Sequence, residues 1–330
     1  MKSLLLVLFA LPIAFSSCKK KPQLNADDKN IDFRQEMRNL VEAISGYAET
    51  QLPFVIIIPQ NGQELSTDDG TATGTVDATY LAAIDGQARE DLFYGYTAED
   101  QPTNAAATEE MTKFLDIQKA NNLAILVTDY CSTQSNVDDS YAKNNAKGYI
   151  SFAASHRGLD NIPAYPVTLK NENADIITQL SQVENFLYLI DPGTFASKAD
   201  FIQAVKNTNF DLLICDPYFN QSLLTPNDLF DLKHKANGGQ RLILAYMSIG
   251  EAEDYRYYWD ASWDKKKTRP DWLFTENPDW PGNYKVKYWS PEWQDILFGN
   301  DSSYTKMIMD AGFNGLYLDI IDGFEYFESL

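Results

Sequence analysis

The chain has 330 residues, a net charge of −20, two histidines, three cysteines and an aromatic content of 13%. So acidic a protein carries no basic stripe to meet a phosphate backbone, which excludes nucleic acid as a partner. The scarcity of histidine, with no CxxC spacing, argues against a zinc centre and a disulfide scaffold, and no metal or organic cofactor is expected.

In chain order, Lys2 precedes an apolar run from Leu4 to Phe15, closed by Ser16, Ser17 and Cys18. The run is too short to span a bilayer and reads as a secretory signal. A cysteine directly after the small residues marks a bacterial lipoprotein. Residues 1–17 are then removed, Cys18 is lipidated, and residues 18–32 form a polar tether. The protein is expected on a bacterial membrane, periplasmic or at the cell surface, held through its lipid anchor only. Residues 33–330 read as one domain, expected to be monomeric.

Helical spacing covers residues 33–48. Short apolar runs then recur, beginning at Phe54, Leu92, Leu123, Tyr149, Phe186, Leu212, Leu242, Val286 and Leu316, each followed by a polar cluster. Helical patterns fill most of the gaps, at 107–120, 199–206, 226–236 and 303–311. Strands alternating with helices imply parallel strands with right-handed crossovers. Nine runs suit a closed (β/α)8 TIM barrel with one run too many, 92–95 or 286–289 being the weakest. An open doubly wound sheet is the rival, but no glycine-rich phosphate loop follows any strand.

In a parallel barrel the C-terminal strand ends share one face. The polar residues placed there are Gln60 and Asn61, Asp129 and Tyr130, His156 and Arg157, Asp191, Asp216, Glu251 and Glu253, Trp289, and Asp319 and Asp322. A ring of acids and aromatics, poor in histidine and lysine, suits glycosidic cleavage. That chemistry needs one carboxyl group as general acid and another as nucleophile or base. A serine triad lacks its GxSxG elbow. A carboxylate-bound Ca²⁺ or Mg²⁺ hydrolase lacks a DxDxDG loop. A non-catalytic glycan-binding barrel would keep the aromatics without needing two close acids.

Three long blocks, YMSIGEAEDYRYYW, DWLFTENPDWPGNYKVKYW and GFNGLYLDIIDGFEYF, closely resemble the bacterial branch of glycoside hydrolase family 114, which is similar to endo-α-1,4-polygalactosaminidases. FVIIIPQNGQEL, AREDLFYG and LAILVTDYC resemble further blocks of that branch. Here these precede the blocks that usually open the domain, so the resemblance implies a circular permutation, with the segment near Asn30 and Arg34 close to Leu330. It also implies an amino-sugar polysaccharide as substrate, cationic where deacetylated. Asp319 falls where characterised members carry an acid, and Asp322 keeps the second acid of that motif. Polymer-cleaving members use a glutamate near the strand matching 92–95; here Phe93, Tyr94 and Gly95 stand there, with Glu90 and Asp91 toward the strand's start. The expected catalytic pair is therefore Asp319 with Glu251. Asp216, Asp129, Asp322, Glu253, Arg256, Gln60, Asn61, Tyr130, Arg157 and Trp289 are expected to bind substrate.

Overall fold

A computed structural model describes residues 24–330. The signal segment, Cys18 and the first part of the expected tether lie outside the described residues. Helix α1 (Phe33–Gln51) begins at Asp32, whose carboxylate accepts from Gln35 N at 3.0 Å, satisfying an N–H that the first turn leaves free. Met37, Leu40, Val41, Ile44 and Ala48 form its buried stripe, the spacing that lays one helical face on a core.

Then follow β1 (Ile56–Pro59), α2 (Ala78–Ala82), β2 (Gly86–Glu90), α3 (Ala105–Ala120), β3 (Ala124–Tyr130), α4 (Gln134–Lys147), β4 (Ile150–Ala154) and β5 (Phe186–Leu189). The second half holds α5 (Lys198–Lys206), β6 (Leu212–Cys215), the small hairpin of β7 (Tyr218–Phe219) and β8 (Ser222–Leu223), α6 (Pro226–Leu232) and β9 (Leu242–Ser248). An excursion of β10 (Glu251–Glu253), β11 (Leu273–Glu276) and β12 (Asn283–Val286) precedes α7 (Pro291–Leu297), α8 (Tyr304–Ala311), β13 (Gly315–Asp319) and α9 (Gly323–Glu328).

The fold is mixed α/β with parallel strands. One parallel sheet has the order β1-β13-β9-β6-β5, and a second has the order β2-β3-β4. A single parallel bridge, Gln60 with Ala88, joins the two at β1 and β2, reinforced by Asn61 N donating to the Ala88 carbonyl at 2.9 Å. Among the described residues no ladder joins β4 to β5, where the Phe152 and Phe186 rings meet at 5.7 Å instead. Most residues of the parallel strands are buried, as the continuous apolar runs require of such strands. β10, β12 and β11 form a separate antiparallel sheet.

Two expected runs differ from the structure. Residues 92–95 form no strand; the parallel strand lies just upstream at β2. The segment starting at Val286 is not a parallel strand either, since β12 ends there in the antiparallel excursion. The physical reason for the first is Gln87. It is wholly buried, its Nε2 donates to the carbonyls of Asn61 and Pro59 at 2.9 and 3.1 Å, and its Oε1 accepts from Gln118 at 2.9 Å. A buried amide costs little once all its groups are paired, yet in sequence it reads as surface.

The two ends of the expected domain meet. Arg34 Nε donates to Glu328 at 2.8 Å, the Phe33 and Phe327 rings lie 5.7 Å apart, and the first parallel strand pairs with the last. Within the expected tether, the described part sits on the body. Asp28 is buried, pairs with Lys287 at 2.8 Å and accepts from Trp289 Nε1 at 3.2 Å, and Asn25 donates to Asp271 at 3.0 Å.

Candidate active site

The C-terminal ends of β1, β2, β3, β5, β6, β9 and β13 open into a cleft of about 650 Å³. Glu90, Asp191, Asp216, Glu251, Glu253, Asp319 and Asp322 line it, against only Arg157 and Arg256. This imbalance makes the cleft a concave field of negative charge.

Asp319 ends β13 and reaches the cleft. Tyr246 Oη, from β9, donates to its Oδ2 at 2.6 Å. Burial, and next the negative charge of Glu90, push its carboxyl up to about 8, with the Tyr246 hydrogen bond pulling the other way. The next residue, Ile320, adopts φ +60°, a left-handed conformation strained for a β-branched side chain. It is held where a Cβ on Gly250 would come within 2.3 Å of the Ile320 carbonyl oxygen. Only glycine at position 250 allows the loop after β9 to pass so close beneath Asp319.

Glu90 ends β2. Tyr130 Oη donates to its Oε1 in a short hydrogen bond, and Asn61 Nδ2 donates to its Oε2 at 3.3 Å. Arg157 covers the Tyr130 ring, its guanidinium carbon 4.5 Å from the ring centroid. Its Nη2 is held by both Asp91 oxygens at 2.8 Å and by the Gly95 carbonyl at 2.7 Å. Burial pushes the Asp91 carboxyl up to about 6 even though Arg157 opposes it. On the other side Tyr188 Oη donates to Gln60 Oε1 at 2.8 Å.

A third group is built on Arg256. Its Nη1 and Nη2 hold the two oxygens of Asp216 at 2.8 and 2.7 Å, and its Nε donates to Glu253 at 2.6 Å. Tyr255 Oη also donates to Glu253, at 2.6 Å. Such a bidentate, planar fit is what a guanidinium supplies and an ammonium does not. Burial raises the Asp216 carboxyl, with Arg256 opposing.

The sequence candidates divide clearly. Asp319, Glu251, Asp216, Asp322, Glu253, Arg256, Gln60, Asn61, Tyr130 and Arg157 all line the cleft. Two do not. Asp129 is fully buried, accepting from the backbone N–H groups of Phe93 and Tyr94 at 2.8 and 3.1 Å, from Ser140 Oγ at 2.6 Å and from Asn144 at 3.1 Å. It ties the loop after β2 to α4. Trp289 packs on Phe327 and Phe33, at 4.8 and 5.1 Å, where the chain's N-terminal part meets α9. His156 pairs with Asp160 at 3.0 Å and does not line the cleft.

Within the cleft, Glu251 is buried and engaged by Lys285 Nζ at 2.5 Å and Asn277 Nδ2 at 2.9 Å. Glu90, which sequence reasoning set aside with its strand misplaced, stands at the strand end instead. No hydropathy pattern marks it, because β2 reads Gly-Gln-Ala-Arg-Glu; the one pointer was the resemblance, which implies a glutamate near this strand. Among the described residues no group of three or more His, Cys, Asp or Glu is arranged to hold a metal ion.

The chain is 40% identical over 182 residues to an uncharacterized protein of Methanocaldococcus jannaschii, covering 54% of this chain and 49% of that one. It is 54% identical over 83 residues to an uncharacterized protein of Thermotoga maritima, covering 25% and 24%, and 38% identical over 124 residues to one of Deinococcus radiodurans, covering 38% and 37%. The chain thus spans about half or less of the length of the curated relatives it matches. The family model for glycoside-hydrolase family GH114 matches residues 197–330. Over that stretch, which carries Asp216, Glu251, Arg256 and Asp319, the chain resembles glycoside-hydrolase family GH114.

Proposed function

We propose that the protein is a glycosidase that cleaves an α-linked, galactosamine-type polysaccharide through Asp319 and Glu90. One observation carries this: two carboxyl groups on strand ends, Asp319 and Glu90, line one cleft, and burial together with the charge of Glu90 raises the Asp319 carboxyl. Asp319, protonated near neutral pH, donates its proton to the glycosidic oxygen as the bond to the anomeric carbon breaks. Glu90, presented as an acceptor by Tyr130 and Asn61, either attacks that carbon or takes a proton from the water that does. Glu90 replaces Glu251 in this pair because a cation, Lys285, already pairs with Glu251, whereas the groups that donate to Glu90, Tyr130 and Asn61, are neutral. The excess of acids in the cleft favours a protonated amino sugar over a neutral one.

The scaffold of this reading is a (β/α)8 barrel closed at β4 and β5 by side-chain packing, with the family's strand order circularly permuted. The pairing of β1 with β13 and the Arg34–Glu328 contact support it, since a closed barrel tolerates new termini in adjacent loops. We place the protein, as a monomer, on a bacterial membrane through lipidated Cys18. A Cys18→Ser substitution then moves it from the membrane to the soluble fraction.

The decisive assay is product release from partially deacetylated α-1,4-galactosaminan by the wild type, Asp319→Asn and Glu90→Gln. Oligosaccharides from the wild type alone support the pair. Full activity in Glu90→Gln with loss in Glu251→Gln returns the role to Glu251. Binding of the polymer without products from any folded variant leaves a non-catalytic glycan-binding barrel.

A further inference from the structure

Beside the main cleft lies a second, smaller cavity of about 270 Å³. Tyr218, Asp254, Tyr255, Arg256, Tyr257 and Trp259 line it, and Tyr218, Tyr255 and Arg256 line the main cleft as well. The two spaces are therefore neighbours along one wall.

The smaller cavity combines three features. First, its rings are partly exposed: Tyr255 is 52% exposed and Tyr257 43%, each with one face covered, by Arg256 at 5.1 Å and by Tyr218 respectively. Large aromatic faces left in water mark a binding surface rather than a core. Second, the rings are fixed at their tips. Tyr255 Oη donates to Glu253 at 2.6 Å, Tyr257 Oη to the Ser302 carbonyl at 3.1 Å, and Trp259 Nε1 to Asp264 at 3.1 Å. Tyr257 also stacks on Tyr218 at 6.5 Å. Walls held this way cost little further ordering when a ligand arrives.

Third, the charge is unequal. Asp254 is exposed in the cavity, and burial with the nearby negative charges of Asp264 and Glu276 raises its carboxyl above the ordinary range. No side-chain hydrogen bond or ion pair engages it among the described residues, whereas Arg256, the cation of this cavity, is already held by Asp216 and Glu253.

We infer that this cavity is an additional sugar subsite that takes one protonated amino-sugar unit, with Asp254 receiving the ammonium group and the faces of Tyr255 and Tyr257 holding the ring. The inference rests on the proposed function, since it names the part of the polymer beyond the cleaved bond that the protein grips. A carboxylate paired with an ammonium supplies selectivity for the deacetylated unit, and a tyrosine face supplies contact area for the sugar.

The test measures binding of α-1,4-linked galactosamine oligosaccharides, and of the same oligosaccharides fully N-acetylated, by calorimetry. The proteins are Asp319→Asn and the double variant Asp319→Asn/Asp254→Asn, with product release by the wild type measured alongside. Asp254→Asn is expected to weaken binding of the deacetylated oligosaccharide about tenfold, the loss of one charge-assisted contact, and to leave the acetylated one unchanged. Raising the salt concentration narrows that difference. Tyr257→Ala weakens both ligands. Cleavage by the wild type together with binding indifferent to Asp254→Asn overturns the subsite and leaves the glycosidase standing. No binding of either oligosaccharide to a folded Asp319→Asn protein, with no products from the wild type, overturns both.

Discussion

Asp319→Asn tests the electrostatics of the cleft through stability alone, with no substrate required. The carboxyl rises from its ordinary 3.8 to about 8 in the folded protein. Between these values the native state binds the proton and the unfolded chain does not, so wild-type stability falls as pH rises through this window. Asparagine keeps an oxygen that accepts from Tyr246 Oη and has no charge to titrate. The variant is therefore nearest the wild type in stability below pH 4 and gains on it progressively up to pH 8. Each pH unit inside the window is worth about 1.4 kcal/mol, so the gap widens by on the order of 2–3 kcal/mol from pH 5 to pH 7. Water in the cleft screens the charge and brings the measured figure toward the lower end. Urea unfolding of both proteins at pH 5, 6 and 7 supplies the difference, and other titrating groups cancel in it. A gap that stays constant across these pH values refutes a carboxyl held protonated by burial and by Glu90.

Other perturbations separate the roles of neighbouring residues. Glu90→Gln lowers kcat about a hundredfold to ten-thousandfold with the fold retained, measured by product release and checked by circular dichroism. In the wild type, kcat/KM falls as pH rises through about 8 because the proton donor is lost. Tyr246→Phe moves this limb to higher pH, since the lost hydrogen bond had favoured the ionised carboxylate; a limb that stays put removes Asp319 as donor. Arg256→Ala leaves Asp216 and Glu253 buried without their cation and costs about 3–5 kcal/mol in chemical denaturation, whereas Arg256→Lys recovers part because it restores charge without the planar fork. Asp129→Ala strands the N–H groups of Phe93 and Tyr94 together with Ser140 and Asn144. It destabilises by about 3 kcal/mol while binding of galactosamine oligosaccharides by the surviving folded protein is unchanged, a result opposite to that expected of a substrate ligand.

Much of the architecture was legible in the sequence because parallel strands buried on both sides read as apolar runs. LILAYMS, LLIC and LYLD each announce a strand, and the polar residue that ends each run announces a cleft-facing position. Asp216, Glu251 and Asp319 were found in this way. Their number and chemistry, with almost no histidine, already pointed to carboxylate catalysis.

What tertiary structure alone decided is which partner each acid meets. Asp129 and Asp216 look alike in sequence, each closing an apolar run. The first is consumed by two backbone N–H groups and two side chains of a helix; the second meets an arginine forty positions later at the cleft wall. Glu251, expected from the sequence beside Asp319, and Glu90, proposed in its place, differ in their partners for a similar reason. Lys285 and Asn277 reach Glu251 across an antiparallel excursion that no local pattern predicts. Glu90 ends a strand whose central Gln87 is paired internally and so leaves no hydrophobic trace. A side chain's type and its position along a strand are local properties, written in the sequence. Whether its charge is spent on a partner depends on groups that only folding brings within hydrogen-bond reach.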